Sequence, residues 1–411
     1  MRVSESGLGR SGLKMSSYDV IIVGAGPAGT SASIHLASNG FKVLLLEQKK
    51  FPREKLCGEF ISPECADHFL RLGVEVEMRA ADPAEINETT FYSRYGKRIA
   101  VPSRWFGGGA AMGLSRARMD QNLLLRARSV GVDVHDGVVV NNPVEGDGKV
   151  LGIRAKVDEV EREYRAHITI DATGRARSLA RRVKSADTRH ARKSKLVAFK
   201  AHLSDSRAEP GVCEIYSYKN GYGGLSTIEA GLSNLCFIVT ASEVRQAQSD
   251  PQLVMRRSVM TNPRAAYTLE SARICSDWLS VALESFGRHK PSPAPGLLAI
   301  GDSASFIDPF TGSGMLMALE SGELVSQLIV RHRDKLNRDE FAELARDYAK
   351  AYAQKFDSRL RVSSLLRRVA FQPRLAQGAI SICSFSDRFR GWLARSTRAT
   401  NTRNSLSAPF S

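Results

Sequence analysis

The sequence predicts an α/β fold: a discontinuous Rossmann-type nucleotide-binding domain, an inserted β-sheet domain and a C-terminal helical segment. Three observations carry that expectation. A glycine-rich turn, Val23-Gly24-Ala25-Gly26-Pro27-Ala28-Gly29, joins an apolar strand to a helix-like stretch. A Gly301-Asp302 pair at the end of a short apolar run leads into Pro309-Phe310-Thr311-Gly312-Ser313-Gly314 and then a long apolar helix pattern. Between the two, strand-rich stretches interrupt the alternation of strand and helix.

The run Tyr18-Asp19-Val20-Ile21-Ile22-Val23 predicts the first strand, and residues 27–39 a helix that Gly40 closes with a left-handed cap. Gly24 permits the tight turn, Gly26 leaves room for a pyrophosphate at the helix N-terminus, and Gly29 lets the helix lie close on the sheet. A second strand, 42–46, ends on Glu47, whose carboxylate suits the hydroxyls of an adenosine ribose and repels a ribose phosphate. FAD or NAD is therefore favoured over NADP. A glycine fingerprint alone also fits a purely structural turn; the flanking strand, helix and Glu47 decide for a dinucleotide.

A helix over 64–72 is stopped by Gly73, and 89–93 pairs with 98–101 in a hairpin across Tyr95-Gly96-Lys97. Ser115 caps a helix through 128, ended by Gly131, and short strands follow at 132–134 and 138–140. A turn at Gly146-Asp147-Gly148 is expected to join 150–157 to 164–170, which delivers the chain to Asp171-Ala172-Thr173-Gly174. Residues 196–286 are again strand-rich, with runs at 197–203, 212–218 and 235–239, a turn at Asn220-Gly221 and a helix over 251–260. The strand 297–300 enters Gly301-Asp302, and Leu316, Leu319, Leu324, Leu328 and Ile329 suit a long buried helix. The expected organisation is a nucleotide domain from 17–82, 111–190 and 291–345, a β-rich substrate domain from 83–110 and 191–290, and a basic helical region, 346–411.

At 411 residues the chain exceeds one ordinary core, so two packed domains are expected. Hydrophobic residues make up 43% and charged residues 25%, as in soluble globular proteins, and no apolar run reaches the ~18 residues of a spanning helix. The first sixteen residues hold Arg2, Arg10 and Lys14 but no apolar block, and Met15 offers a second start; a cytoplasmic location is the expectation. The six cysteines form no Cys-x-x-Cys pair and have no histidine at zinc-site spacing, so reduced thiols and no metal are expected. The net charge of +16 sits mainly in two clusters. One spans 175–195 and includes Arg177, Arg189, Arg192 and Lys193; the other spans 359–403, where ten arginines face the single acid Asp387 among apolar residues such as Leu366, Val369, Ile380, Trp392 and Leu393. That tail is either a surface for the inner face of an anionic membrane or an acidic ligand, or a solvated basic face over an ordinary helical layer. No nucleic-acid module accompanies the charge, so no nucleic-acid partner is expected.

Together these motifs resemble the flavoprotein superfamily of p-hydroxybenzoate hydroxylase, and within it the geranylgeranyl reductase and halogenase-like branch. Phe51-Pro52-Arg53-Glu54-Lys55-Leu56-Cys57-Gly58-Glu59 is similar to that branch's Pro-x-x-Lys-x-Cys-Gly element, and Gly301-Asp302-Ser303-Ala304 to the family's Gly-Asp motif. The resemblance implies bound FAD, with Gly24, Gly26, Ala28, Gly29 and Glu47 at its adenine and pyrophosphate end. It puts Arg53 and Arg118 on the FAD side and Asp302 on the ribityl chain. Pro309, Gly312, Ser313 and Gly314, at the start of the long helix, would face the isoalloxazine with free amides and a positive dipole end. Asp171-Ala172-Thr173-Gly174 departs from the commoner Asp-Gly form but keeps the carboxylate. Cys57 and Tyr222 are the candidate catalytic residues: Cys57 to position substrate or donate a proton, against its reading as a small buried hydrophobe, and Tyr222 to line the cavity, against simple strand packing. Where geranylgeranyl reductases carry Tyr-x-Trp-x-Phe-Pro and halogenases Trp-x-Trp-x-Ile-Pro, this chain has Gly221-Tyr222-Gly223-Gly224-Leu225-Ser226-Thr227. Trp105, Trp278 and Trp392 do not restore either pattern, which argues against halogenation.

The leading functional expectation is an FAD-dependent oxidoreductase that reduces a carbon–carbon double bond of a bulky apolar molecule of isoprenoid, quinone or polyketide-like character. The alternative is an FAD-dependent monooxygenase that hydroxylates or epoxidises an aromatic or olefinic substrate. Both need outside electrons, and a single dinucleotide fingerprint leaves NADH or NADPH to bind only transiently. A third reading, a flavin-free lipid carrier of the same fold, conflicts with the intact Gly24, Gly26, Gly29, Glu47 and Asp302.

Overall fold

The computed structural model describes residues 16–107, 109–184, 195–283, 286–336, 340–384 and 386–397. The strand Ser16–Val23 runs parallel to Val43–Glu47 on one side and to Val160–Asp171 on the other, with Val23 opposite both Leu46 and Asp171. Asp133–Asp136 extends the parallel sheet beyond Val43–Glu47, and Leu297–Ala299 pairs with the last three residues of Val160–Asp171. These strands are apolar on both faces because both are covered. Val20, Ile22 and Leu45 face the helices, while Ile21, Leu44 and Leu46 face a second cluster with Val138, Ile153 and Leu179.

One turn differs from its sequence signal. Gly146-Asp147-Gly148 joins Val139–Gly146 to Lys149–Val157. The link from Lys149–Val157 to Val160–Asp171 is instead Asp158-Glu159, with φ of 48° and 65°. Two left-handed residues match the twist of a two-residue hairpin, and their acidic identity conceals it.

The second sheet is built from the two inserted segments. Val212–Tyr218 pairs in parallel with Glu88–Tyr92, which turns into Arg98–Pro102, and on its other side with Gly221–Thr227. Ser233–Thr240 and Leu196–Ser204 continue the antiparallel order.

The helix Pro27–Ser38 is buried nearly all round, and its small polar residues bond into the neighbouring helix Gly314–Arg331: Ser31 Oγ donates to the Leu319 carbonyl and the Ser326 hydroxyl to the Ala32 carbonyl. At Gly322 any side chain would run into the Ala28 and Ala32 backbone, so glycine sets this close crossing. The helix Phe341–Ala370 presents Tyr348, Tyr352 and Phe356, four residues apart, to the same core. Pro373–Ser384 and Asp387–Ser396 complete the helical segment. Residues 185–194, with Arg189, Arg192 and Lys193, and residues 398–411 lie outside the described residues.

Candidate functional site

A single cavity of about 500 Å³ runs from the glycine turn to the C-terminal helices. Its first half is polar. Gly24 has φ +108°, and a side chain there would overlap the Ala172 carbonyl, so the turn and the Asp171-Ala172-Thr173 loop meet backbone to backbone. A Cβ on Gly26 would instead point into open space 3.9 and 4.0 Å from the Nη2 atoms of Arg116 and Arg53. The Glu47 carboxylate is aimed by backbone donors, Ala25 N at 3.0 Å and Lys49 N at 3.1 Å. Gly29 lies outside the cavity wall, against the Gly24 carbonyl, and serves the close helix–strand packing.

Arg53 and Arg116 share one clamp, the fully buried Asp120. Arg53 Nη1 donates to Asp120 Oδ2 at 2.8 Å, and Arg116 donates through Nε and Nη2 at 2.9 and 2.7 Å. Burial opposes the Arg116 charge, but Asp120 more than offsets it and holds the guanidinium protonated. Arg53 Nε is buried with no hydrogen-bond partner. Lys55 and Arg175 line the same half. Lys55 is exposed to the open cavity, yet protein surrounds it closely enough that desolvation, then the like charges of Arg53 and Arg116, lower its pKa. Such a cluster of donors beside an unblocked glycine turn fits a pyrophosphate.

Arg118, expected on the cofactor side, is not in the cavity wall: its side chain is 58% exposed and pairs with Glu229 at 3.4 Å. Arg116, two residues earlier on the helix Arg116–Ser129, takes the inward place.

Asp171 is buried and saturated, accepting from Thr173 N and Oγ1, Ser303 Oγ, and the Leu179 and Ala180 amides. It thereby ties the Asp171–Thr173 loop to the Gly301–Ser303 turn. Next to this knot, Asp302 lines the cavity, its pKa raised by burial and pulled back by Arg175, Arg116 and Lys55. Ala28, Pro309, Gly312 and Gly314 line the wall, whereas Ser313 is buried outside it with its hydroxyl 2.8 Å from that of Thr311.

The second half of the cavity is apolar. Phe91, Ile215 and Ile238 of the inserted sheet face Leu366, Val369 and Ile380 of the C-terminal helices. The C-terminal segment is therefore not simply a basic face. Its Arg359 is fully buried and donates to Glu320 at 2.7 Å.

Cys57 and Tyr222 both line the cavity. Cys57 is half-buried; its Sγ accepts from Glu59 N at 3.5 Å, and its carbonyl from Asn234 Nδ2 at 3.0 Å. Tyr222 is buried between Phe310 and Phe371 and donates its hydroxyl to Asp308 Oδ1 at 2.5 Å. Burial and then the Asp308 charge push the phenol far above its ordinary pKa, so it is a poor acid. Tyr222→Phe leaves one buried bond to Asp308 unmade and is expected to lower stability by about 1–3 kcal/mol, read by denaturant unfolding.

Sequence reasoning missed a buried charge network under the cavity floor. Lys200 Nζ donates to Glu54 Oε2 and Glu59 Oε1, both at 2.6 Å; His202 Nε2 lies 2.7 Å from Glu59 Oε2, and Arg116 N donates to Glu59 Oε1 at 2.8 Å. Glu54, Glu59 and His202 are close enough to share a metal ion, but the Lys200 ammonium already bridges both carboxylates.

A family model described as FAD binding domain matches residues 17–333. The chain belongs to the FAD binding domain family. It is an FAD-dependent oxidoreductase whose relatives include reductases and brominases. One relative, the digeranylgeranylglycerophospholipid reductase of Methanosarcina mazei, is 26% identical over 315 residues, 75% of this chain and 74% of that protein. Another, conditioned medium factor receptor 1 of Dictyostelium discoideum, is 25% identical over 331 residues, 76% of this chain; the chain spans 63% of that protein's length. Among solved structures, the flavin-dependent brominase Bmp2 superposes with a TM-score of 0.78, covering 93% of both chains at 20% identity, which speaks to the fold alone.

Proposed function

We propose that the protein reduces an activated carbon–carbon double bond in a bulky apolar substrate of isoprenoid, quinone or polyketide-like class, with NADH or NADPH as the transient electron donor. The observation that carries this reading is the two-part cavity: cationic and hydrogen-bonding beside Gly26 and Asp302, apolar between the inserted sheet and the C-terminal helices. Bound FAD supplies the hydride. Arg53, Lys55, Arg116 and Arg175, which line the polar half, would hold its phosphates and negative charge, and Asp302 would accept from its hydroxyls. Leu366, Val369 and Ile380 exclude water from the substrate. Tyr222, with its proton committed to Asp308, shapes the wall. Cys57, which lines the same cavity as Tyr222, is the candidate proton donor that completes the reduction. The reductase relative supports the reaction class.

The test is purification followed by anaerobic reduction with NADH or NADPH and incubation with polyprenyl quinones and geranylgeranyl lipids. The expected product gains two hydrogens per double bond without oxygen uptake. Stoichiometric oxygen consumption with an oxygenated product would establish monooxygenation instead, and a colourless protein that cannot be reconstituted with FAD would overturn both.

A further inference from the structure

The helices Pro373–Ser384 and Asp387–Ser396 have two different faces. Ala379, Ile380 and Cys383 on the first, and Leu393 and Ala394 on the second, line the apolar half of the cavity. The outer face is also apolar: Leu375 and Ile382, seven residues apart and so on one side of their helix, are 58% and 61% exposed, and Trp392 is 60% exposed. Exposed arginines surround them. Arg374 adjoins Leu375, and Arg388 and Arg395 stand four residues before and three after Trp392. The tip of the hairpin formed by Glu88–Tyr92 and Arg98–Pro102 extends the patch, with Tyr95 57% exposed and Lys97 Nζ donating to Ser381 Oγ at 3.0 Å.

We propose that this outer face docks on an anionic lipid bilayer. Large apolar and aromatic side chains mixed with arginines on a thin helical layer suit the boundary between headgroups and acyl chains. A second copy of the chain is a poorer occupant, because a two-fold contact would set these arginines against themselves. Among the described residues no helix is long and apolar enough to cross a membrane, so the contact is a surface one. Docking sets the roof of the apolar chamber against the phase in which an apolar substrate dissolves; that consequence rests on the proposed function, whereas the docking does not.

The test is flotation of the full-length, flavin-loaded protein with vesicles of phosphatidylcholine alone or mixed with phosphatidylglycerol, at low and high salt. The expected result is capture by the anionic vesicles, weakened by salt and by about fivefold for each arginine removed in Arg388→Gln and Arg395→Gln. Ile382→Glu with Trp392→Glu is expected to abolish capture while leaving flavin absorbance and the melting temperature unchanged. Equal binding to neutral vesicles, no capture at low salt, or undiminished capture of the Ile382→Glu, Trp392→Glu protein overturns the proposal. So does a dimer in solution that those substitutions dissociate. Capture without double-bond reduction leaves the docking standing and removes the proposed reaction; reduction without capture does the reverse.

Discussion

Lys200→Met is expected to lower folding stability by about 3–5 kcal/mol, the cost of removing one member of a buried ion pair. Lys200 is 2% exposed and Glu59 fully buried, and both Glu59 and Glu54 accept hydrogen bonds from the Lys200 ammonium. Methionine fills much of the same volume but leaves Glu59 with only His202 and one backbone amide to answer its charge. Glu54→Gln, at the 42%-exposed end of the network, is expected to cost about 1 kcal/mol or less. Burial alone would depress the Lys200 pKa, but Glu59 and Glu54 raise it overall. A raised lysine pKa gives stability that is fully present below the unfolded value of about 10.4 and lost as pH rises through the folded value. The gap between parent and variant is therefore flat across neutral pH and narrows only in alkali. Denaturant unfolding at several pH values reads both effects; equal stability of Lys200→Met and parent at neutral pH would show that the network contributes nothing net.

That network was invisible in the sequence for a definable reason. Lys200 and His202 sit on Leu196–Ser204 two residues apart, hence on one face of the strand, but their partners Glu54 and Glu59 lie more than 140 positions away. The features that were legible are local. The glycine turn, Glu47 at its strand end, the Ser115 cap and the Gly301-Asp302 turn each combine a backbone requirement with an adjacent periodic element, so a short window contains the whole signal. Arg118 failed within such a window. Residues two apart on a helix point to different sides, and Ser115 capping fixes the register that turns Arg116 inward. The C-terminal arginines read as one basic region because composition does not resolve faces. In three dimensions Arg359 is buried on Glu320 and Ile380 faces the cavity, while Ile382 stands outside.

Asp302→Asn is expected to move two quantities in opposite directions. Exchanging a charged acceptor for a neutral amide weakens FAD retention by about ten- to a hundredfold, on the ordinary worth of a hydrogen bond to an ionised group. The flavin-free variant, however, is expected to melt above the flavin-free parent at pH 7. Burial raises the Asp302 pKa even though Arg175, Arg116 and Lys55 oppose it. Above the unfolded aspartate value of about 3.9, the folded chain therefore holds this proton more tightly than the unfolded chain does. Stability falls as pH rises through that window, and the full cost of the charged carboxylate persists at neutral pH. Asparagine carries no such cost, so the advantage of the variant disappears as pH drops below the unfolded value. Melting curves of the flavin-free proteins between acid and neutral pH, with flavin release followed by fluorescence, measure both. A variant that keeps FAD as firmly as the parent removes Asp302 from the cofactor cradle. One that melts no higher at pH 7 shows instead that the three cations already neutralise the carboxylate, and that its conservation of charge costs the fold nothing.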